Sequence, residues 1–204
     1  MPAKKVVKSY ETHAYYHIFN RGVNNGKIFR DDQDYQAFVQ LMGRYLSASV
    51  SKDNSNRDYP CYHGELTIIA YSLLPRSFHL LVRQDNNHRA IETFMRSLVT
   101  SYSMYFNRRH NRQGHLFQGV YKASLIEEGP QLLHVSRHIH IAPKDYETWP
   151  YSSWPYYTAG WTADWLQQHR IFELFDGGDY RRFIDSYNED NDMWRDIQKK
   201  LADK

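Results

Sequence analysis

A single cysteine, Cys61, is all the chain contains. An intrachain disulfide and a cysteine-built zinc site are thereby excluded, and reducing surroundings suit the sequence. Long apolar runs are missing too. The richest stretch, Leu66 to Leu74, is broken by Thr67, Tyr71 and Ser72 and falls far short of the roughly 20 residues that span a bilayer. The basic start MPAKKVVKSY has no apolar segment behind it, so no secretory signal and no membrane partner are expected, and the expected address is the cytoplasm. An excess of one charge sign is also lacking, with a formal net charge of +3. With 41% hydrophobic and 24% charged residues over 204 positions, the composition fits neither a disordered nor a fibrous chain. It fits a folded protein of one domain with an appendage, or two small domains.

The charge that is present is unevenly placed. Between Arg89 and Lys122 stand six basic residues and one acid, Glu92, a local balance of +5. From Glu173 to Lys204 nine acids oppose six bases. A basic block inside a near-neutral protein is the footprint of a polyanion site, because binding phosphates releases condensed counterions. A solvated helix face is the plainer alternative.

Ala14 to Phe19 is β-branched and aromatic, with turn chemistry behind it at Asn20-Arg21-Gly22 and Asn24-Asn25-Gly26, and reads as a first strand. Asp31 and Asp32 offer N-caps ahead of Tyr35, Phe38, Val39, Met42, Tyr45 and Leu46, whose spacing marks one face of a helix. The polar run Ser47 to Gly64 reads as a loop. Leu66 to Leu73 and Phe78 to Arg83 read as an antiparallel pair around Leu74-Pro75-Arg76-Ser77. A second helix is expected over His88 to Asn107, a fourth strand over Tyr121 to Ile126, and a third helix from Pro130 to the stop at Ala142-Pro143. The order of the first six elements is that of a ferredoxin-like α+β fold: an antiparallel sheet with helices on one face. The expected organisation is a basic tail over 1–13, a folded domain over 14–145, and an extension over 146–204 that is first aromatic and then charged and helical. Apolar positions of that last stretch include Phe172, Phe175, Phe183, Ile184 and Tyr187.

Several segments then occur in order: Tyr16-His17-Ile18-Phe19-Asn20-Arg21-Gly22, Leu74-Pro75-Arg76-Ser77-Phe78-His79-Leu80-Leu81-Val82, Gly114-His115-Leu116-Phe117-Gln118-Gly119-Val120-Tyr121-Lys122, and Ser136-Arg137-His138-Ile139-His140-Ile141-Ala142-Pro143, followed by Tyr151-Ser152-Ser153-Trp154. Over roughly residues 14 to 157 the chain resembles the REP-associated tyrosine transposases, single-tyrosine HUH-type transposases of the IS-two-hundred-like kind. The resemblance implies a ferredoxin-like nuclease domain that binds palindromes folded as single-stranded hairpins, and by default a homodimer. It also implies Mg or Mn held by two histidines one residue apart on a strand, a spacing that puts both on one face. A tyrosine nucleophile and an asparagine ligand one turn later on a helix complete the implied set.

At those catalytic positions the sequence departs from the family. Ser77 stands at the first strand histidine, with Arg76 where asparagine is usual, and only His79 survives. His138 replaces the nucleophile and Ala142 the asparagine. An alanine methyl is no ligand and a neutral serine hydroxyl a poor one, so the cation site is expected to be broken and strand cleavage lost. His79 and His138 are the degenerate catalytic candidates, His79 the remaining metal candidate. One rescue would gather His79, His134 and His138 into a three-imidazole site and keep the transposase active; Tyr146 or Tyr151 are replacement nucleophiles only if the chain swings one toward His79.

The DNA-contact candidates are Arg21, Arg76, Arg96, Arg108, Arg109, Arg112, His115 and Lys122, with Gln113 beside them and Gly114 and Gly119 allowing close approach. Arg76, next to the vacated ligand position, is read as holding a phosphate in place of the metal. Trp149, Trp154, Trp161 and Trp165, with Tyr146, Tyr151, Tyr156 and Tyr157, either wrap a core or stack on unpaired bases. The leading expectation is a protein that recognises hairpin DNA in transposition or its regulation. An active strand transferase and an interaction protein without nucleic acid are the alternatives.

Overall fold

The computed structural model describes residues 10–53, 55–127, 129–175 and 179–186. The first nine residues of the basic start, and the charged tail from Tyr187 onward, lie outside the described residues. Four strands, β1 (Ala14–Arg21), β2 (Leu66–Leu74), β3 (Ser77–Gln84) and β4 (Lys122–Ile126), form one antiparallel sheet in the order β2-β3-β1-β4. Helix α1 (Asp32–Leu46) links β1 to β2, and α2 (Ala90–Arg109) links β3 to β4. This is the ferredoxin-like order expected from the sequence.

Strand alternation divides the sheet into two faces. Tyr16 and Ile18 of β1 and Phe78, Leu80 and Val82 of β3 meet the apolar stripes of α1 and α2 in the larger core. Tyr15, Leu81 and Ile126 point the other way, onto α3 (Pro130–Ile141) and the short helices α4 (Trp154–Thr158), α5 (His169–Phe172) and α6 (Tyr180–Asp185). The two crossover helices thus share one face, joined there by Trp165 and Leu166 of the extension, and α3 with the short helices covers the opposite one. Each fully buried side chain of this kind contributes about 1.5 to 3 kcal/mol relative to exposure.

Local chemistry sets the element ends. Asp31 caps α1 by accepting a hydrogen bond from the Asp34 amide at 3.3 Å, and Pro130 sits in the first turn of α3. A bulge between Ile68 and Ala70 shifts the register of β2, so that Leu66, Ile68, Tyr71 and Leu73 face the first core while Ile69 and Ala70 face the second. The aromatic stretch is largely a packing element. Trp154, Tyr157 and Trp165 are buried, and Trp161 is exposed. Backbone bonds from Leu73 to Tyr151 (2.9 Å), Ser153 to Tyr71 (2.9 Å) and Gln167 to Ile68 (2.9 Å) close the outer edge of β2. Among the described residues no helix is long and apolar enough to cross a membrane.

Candidate functional site

Three imidazoles meet between the sheet and α3. The β1–β3 register pairs Phe19 with His79 and His17 with Leu81, so His17 and His79 are diagonal neighbours on the face beneath α3. His17 Nε2 and His79 Nδ1 share a hydrogen bond at 3.2 Å, with their rings stacked at 5.4 Å between centroids. His138, half-buried on α3, stands edge-on to both, at 6.1 Å from His17 and 5.8 Å from His79. Sequence reasoning missed His17 as a site residue. Its signal was strand parity, which becomes visible only once the pairing of β1 with β3 is known.

The residues here do not fit the dication that the resemblance implies. Mg and Mn take oxygen donors in near-octahedral array, whereas this pocket offers imidazoles, the hydroxyl of Ser77 at the start of β3, and Ala142 at the C-cap of α3. His17 and His79 each direct one ring nitrogen at the other, and among the described residues no group of three His, Cys, Asp or Glu is disposed to hold a metal ion. The trio of His79, His134 and His138 is not assembled. His134 lies against Arg137, whose Nη2 reaches its Nδ1 at 2.5 Å, and its ring contacts Phe183 of α6. Burial, and then the Arg137 charge, bring its pKa down to about 4. Neither candidate tyrosine takes its place: Tyr146 donates to Asp185 at 3.2 Å, and Tyr151 stacks on Tyr35 at 4.0 Å.

What fixes α3, and so His138, is a buried polar chain. His140 bonds through Nε2 to Ser153 Oγ at 2.6 Å and through Nδ1 to Tyr180 Oη at 2.7 Å, and that hydroxyl also meets Ser136 Oγ at 3.0 Å. Full burial lowers the His140 pKa to about 3, which keeps the ring neutral. The extension thereby clamps α3 from two sides.

The basic candidates differ in their exposure and in the partners they hold. Arg109 is not a free surface cation. It donates to Asp31 Oδ1 at 2.8 Å, Asp31 Oδ2 at 2.9 Å and Asp34 Oδ1 at 2.7 Å. Its guanidinium holds the Asp31 carboxyl below the usual range. Arg96 pairs with Glu92 one turn away on α2, at 2.5 Å. Arg76 donates to the Asn25 carbonyl in the turn after β1. Arg21, Arg108, His115 and Lys122 are exposed, and Arg21 donates to Gln118 Oε1 at 2.7 Å.

Arg112 is fastened to its own loop and faces a cleft of about 300 Å³ that it shares with Lys27 and Arg30. Neither Lys27 nor Arg30 was singled out from the sequence, because their distance from Arg112 along the chain hides their closeness in space. The turn that carries them depends on Gly22, where an added Cβ would lie 2.1 Å from the Gly26 carbonyl oxygen.

No family model matches this sequence, and no curated protein matches it either. A solved structure does, that of a REP-associated tyrosine transposase bound to a REP hairpin. The similarity has a TM-score of 0.54 at 14% identity and covers 84% of this chain and 93% of that one. The two chains share a fold. The fold expected from the resemblance is the one observed.

Proposed function

We propose that this protein binds single-stranded DNA folded as a hairpin, in DNA transposition or its regulation, and that it binds without cutting. The observation that carries the reading is the fold shared with a transposase solved on a REP hairpin. The exposed cations Arg21, Arg108 and Lys122, with His115, supply the charge that tracks a sugar-phosphate backbone. Arg109 has a structural part in this reading.

The absence of cutting rests on the donor set. Without an ion, the charge that develops on a phosphate under attack has lost its main stabiliser, and a histidine at the nucleophile position does not replace it. The test is hairpin binding by a triple variant, Arg21→Ala, Arg108→Ala and Lys122→Ala, across a salt series. Affinity at low salt should drop, and the slope of log affinity against log salt should shrink by roughly 0.7 for each phosphate contact removed. An unchanged slope would refute this placement of the interface. A wild-type protein with no salt-dependent DNA affinity would favour the interaction-protein reading.

A further inference from the structure

The cleft beside the β1 turn is walled by two loops that are tied to each other. Val23 donates its amide to the Leu116 carbonyl at 3.0 Å, and Gly22 forms a β-bridge with Phe117. Lys27 and Arg30 stand exposed on one wall, and Arg112 lies on the other. The Arg112 guanidinium gives Nη1 to Asn107 Oδ1 (3.0 Å) and the Gly114 carbonyl (3.3 Å), and Nη2 to the His115 carbonyl (2.5 Å). All three acceptors are neutral. They hold the guanidinium plane still and leave its charge uncompensated.

The acids that follow Arg30 in the chain, Asp31 and Asp34, direct their carboxylates at Arg109 and His110. The cleft lining therefore holds three cations and no carboxylate; its other members are Val23, Gly26 and Leu116. A volume of about 300 Å³ stands at the lower end of the roughly 300 to 1,000 Å³ found for small-ligand sites. That is more room than a bare anion needs and less than a stretch of strand would fill.

We infer that this cleft binds a single nucleotide, with its phosphate held by Lys27, Arg30 and Arg112 and its sugar and base laid against Val23 at the rim. Arginine planes and aliphatic side chains both accept a base face, and convergent cations hold the phosphate. A free nucleotide and an unpaired nucleotide of a strand present the same chemistry. The site does not depend on the hairpin reading, since Arg21, Arg108 and Lys122 are not part of its lining.

Calorimetric titration of the full chain with deoxyadenosine 5′-monophosphate, with a single-stranded deoxyadenosine tetramer and with inorganic phosphate tests it. The comparison protein carries Lys27→Ala and Arg30→Ala, both at exposed positions, and its circular dichroism and urea midpoint are checked against the parent because the Arg30 guanidinium lies over the Phe106 ring at 5.3 Å. The monophosphate or the tetramer should bind more tightly than phosphate, and the double variant should lose about tenfold. Preference for the tetramer identifies a strand as the source; equal binding of the monophosphate identifies a free nucleotide. Phosphate binding as tightly as either nucleotide, equal binding by the variant, or no binding of any probe would overturn the inference. None of these outcomes bears on the salt series above, so the two proposals fail or stand separately.

Discussion

Asp34 shows what a single side chain contributes here. Its carboxylate is wholly buried, a position that is costly unless every lone pair finds a partner. Arg109 donates to it at 2.7 Å, His110 Nε2 approaches it at 2.9 Å and the Arg30 amide donates at 2.9 Å. Removing one partner of a buried ion pair is more damaging than its net worth suggests, because the other charge is stranded. Arg109→Ala should therefore lower the midpoint of urea denaturation. Hairpin affinity of the folded fraction should stay within about twofold, since the residue is spent on carboxylates. A local charge count could not foresee this, because the partners lie 75 and 78 positions away along the chain. Gly22→Ala is a second residue-scale case. With the Gly26 carbonyl oxygen 2.1 Å from the new methyl carbon, the turn must open, and both stability and nucleotide binding in the cleft should fall together.

Among the elements, α3 is where sequence and structure diverge most instructively. Its boundaries were legible, from Pro130 at the start to Ala142-Pro143 at the end, and so were the four strands, whose apolar runs and turn residues act locally. The bulge in β2, the closing of its edge by the extension and the pairing of His17 with His79 were not legible, because each depends on contacts between distant segments. The polar chain around His140 makes a pH prediction at this scale. Folding holds His140 and His134 neutral, with pKa values lowered to about 3 and about 4, while the unfolded chain takes up protons near 6.5. Stability is therefore full above that value and falls as pH drops below it, by roughly 1.4 kcal/mol per pH unit for His140, until the folded ring itself protonates. Urea midpoints between pH 7 and 4 should show this slope, and His140→Gln should flatten it. Shortening the chain after residue 145 should uncover the edge of β2 and produce concentration-dependent aggregation in light scattering, because unpaired strand edges template further pairing.

For the whole molecule, the resemblance made the fold legible, and the structure adds which side chains meet between the sheet and α3. Around His138, His17 and His79 bond to each other, and α3 is clamped by the extension. The fold of a hairpin-bound transposase persists over most of the chain with a donor set unsuited to Mg or Mn. Binding without cutting is the central claim, and one experiment addresses both halves of it. The purified protein is incubated with a labelled single-stranded hairpin carrying flanking sequence, with Mg²⁺ or Mn²⁺, and run on native and denaturing gels side by side. The account predicts a native shift with the labelled strand intact and free of protein under denaturing conditions. A metal-dependent covalent adduct or a cut strand would contradict it.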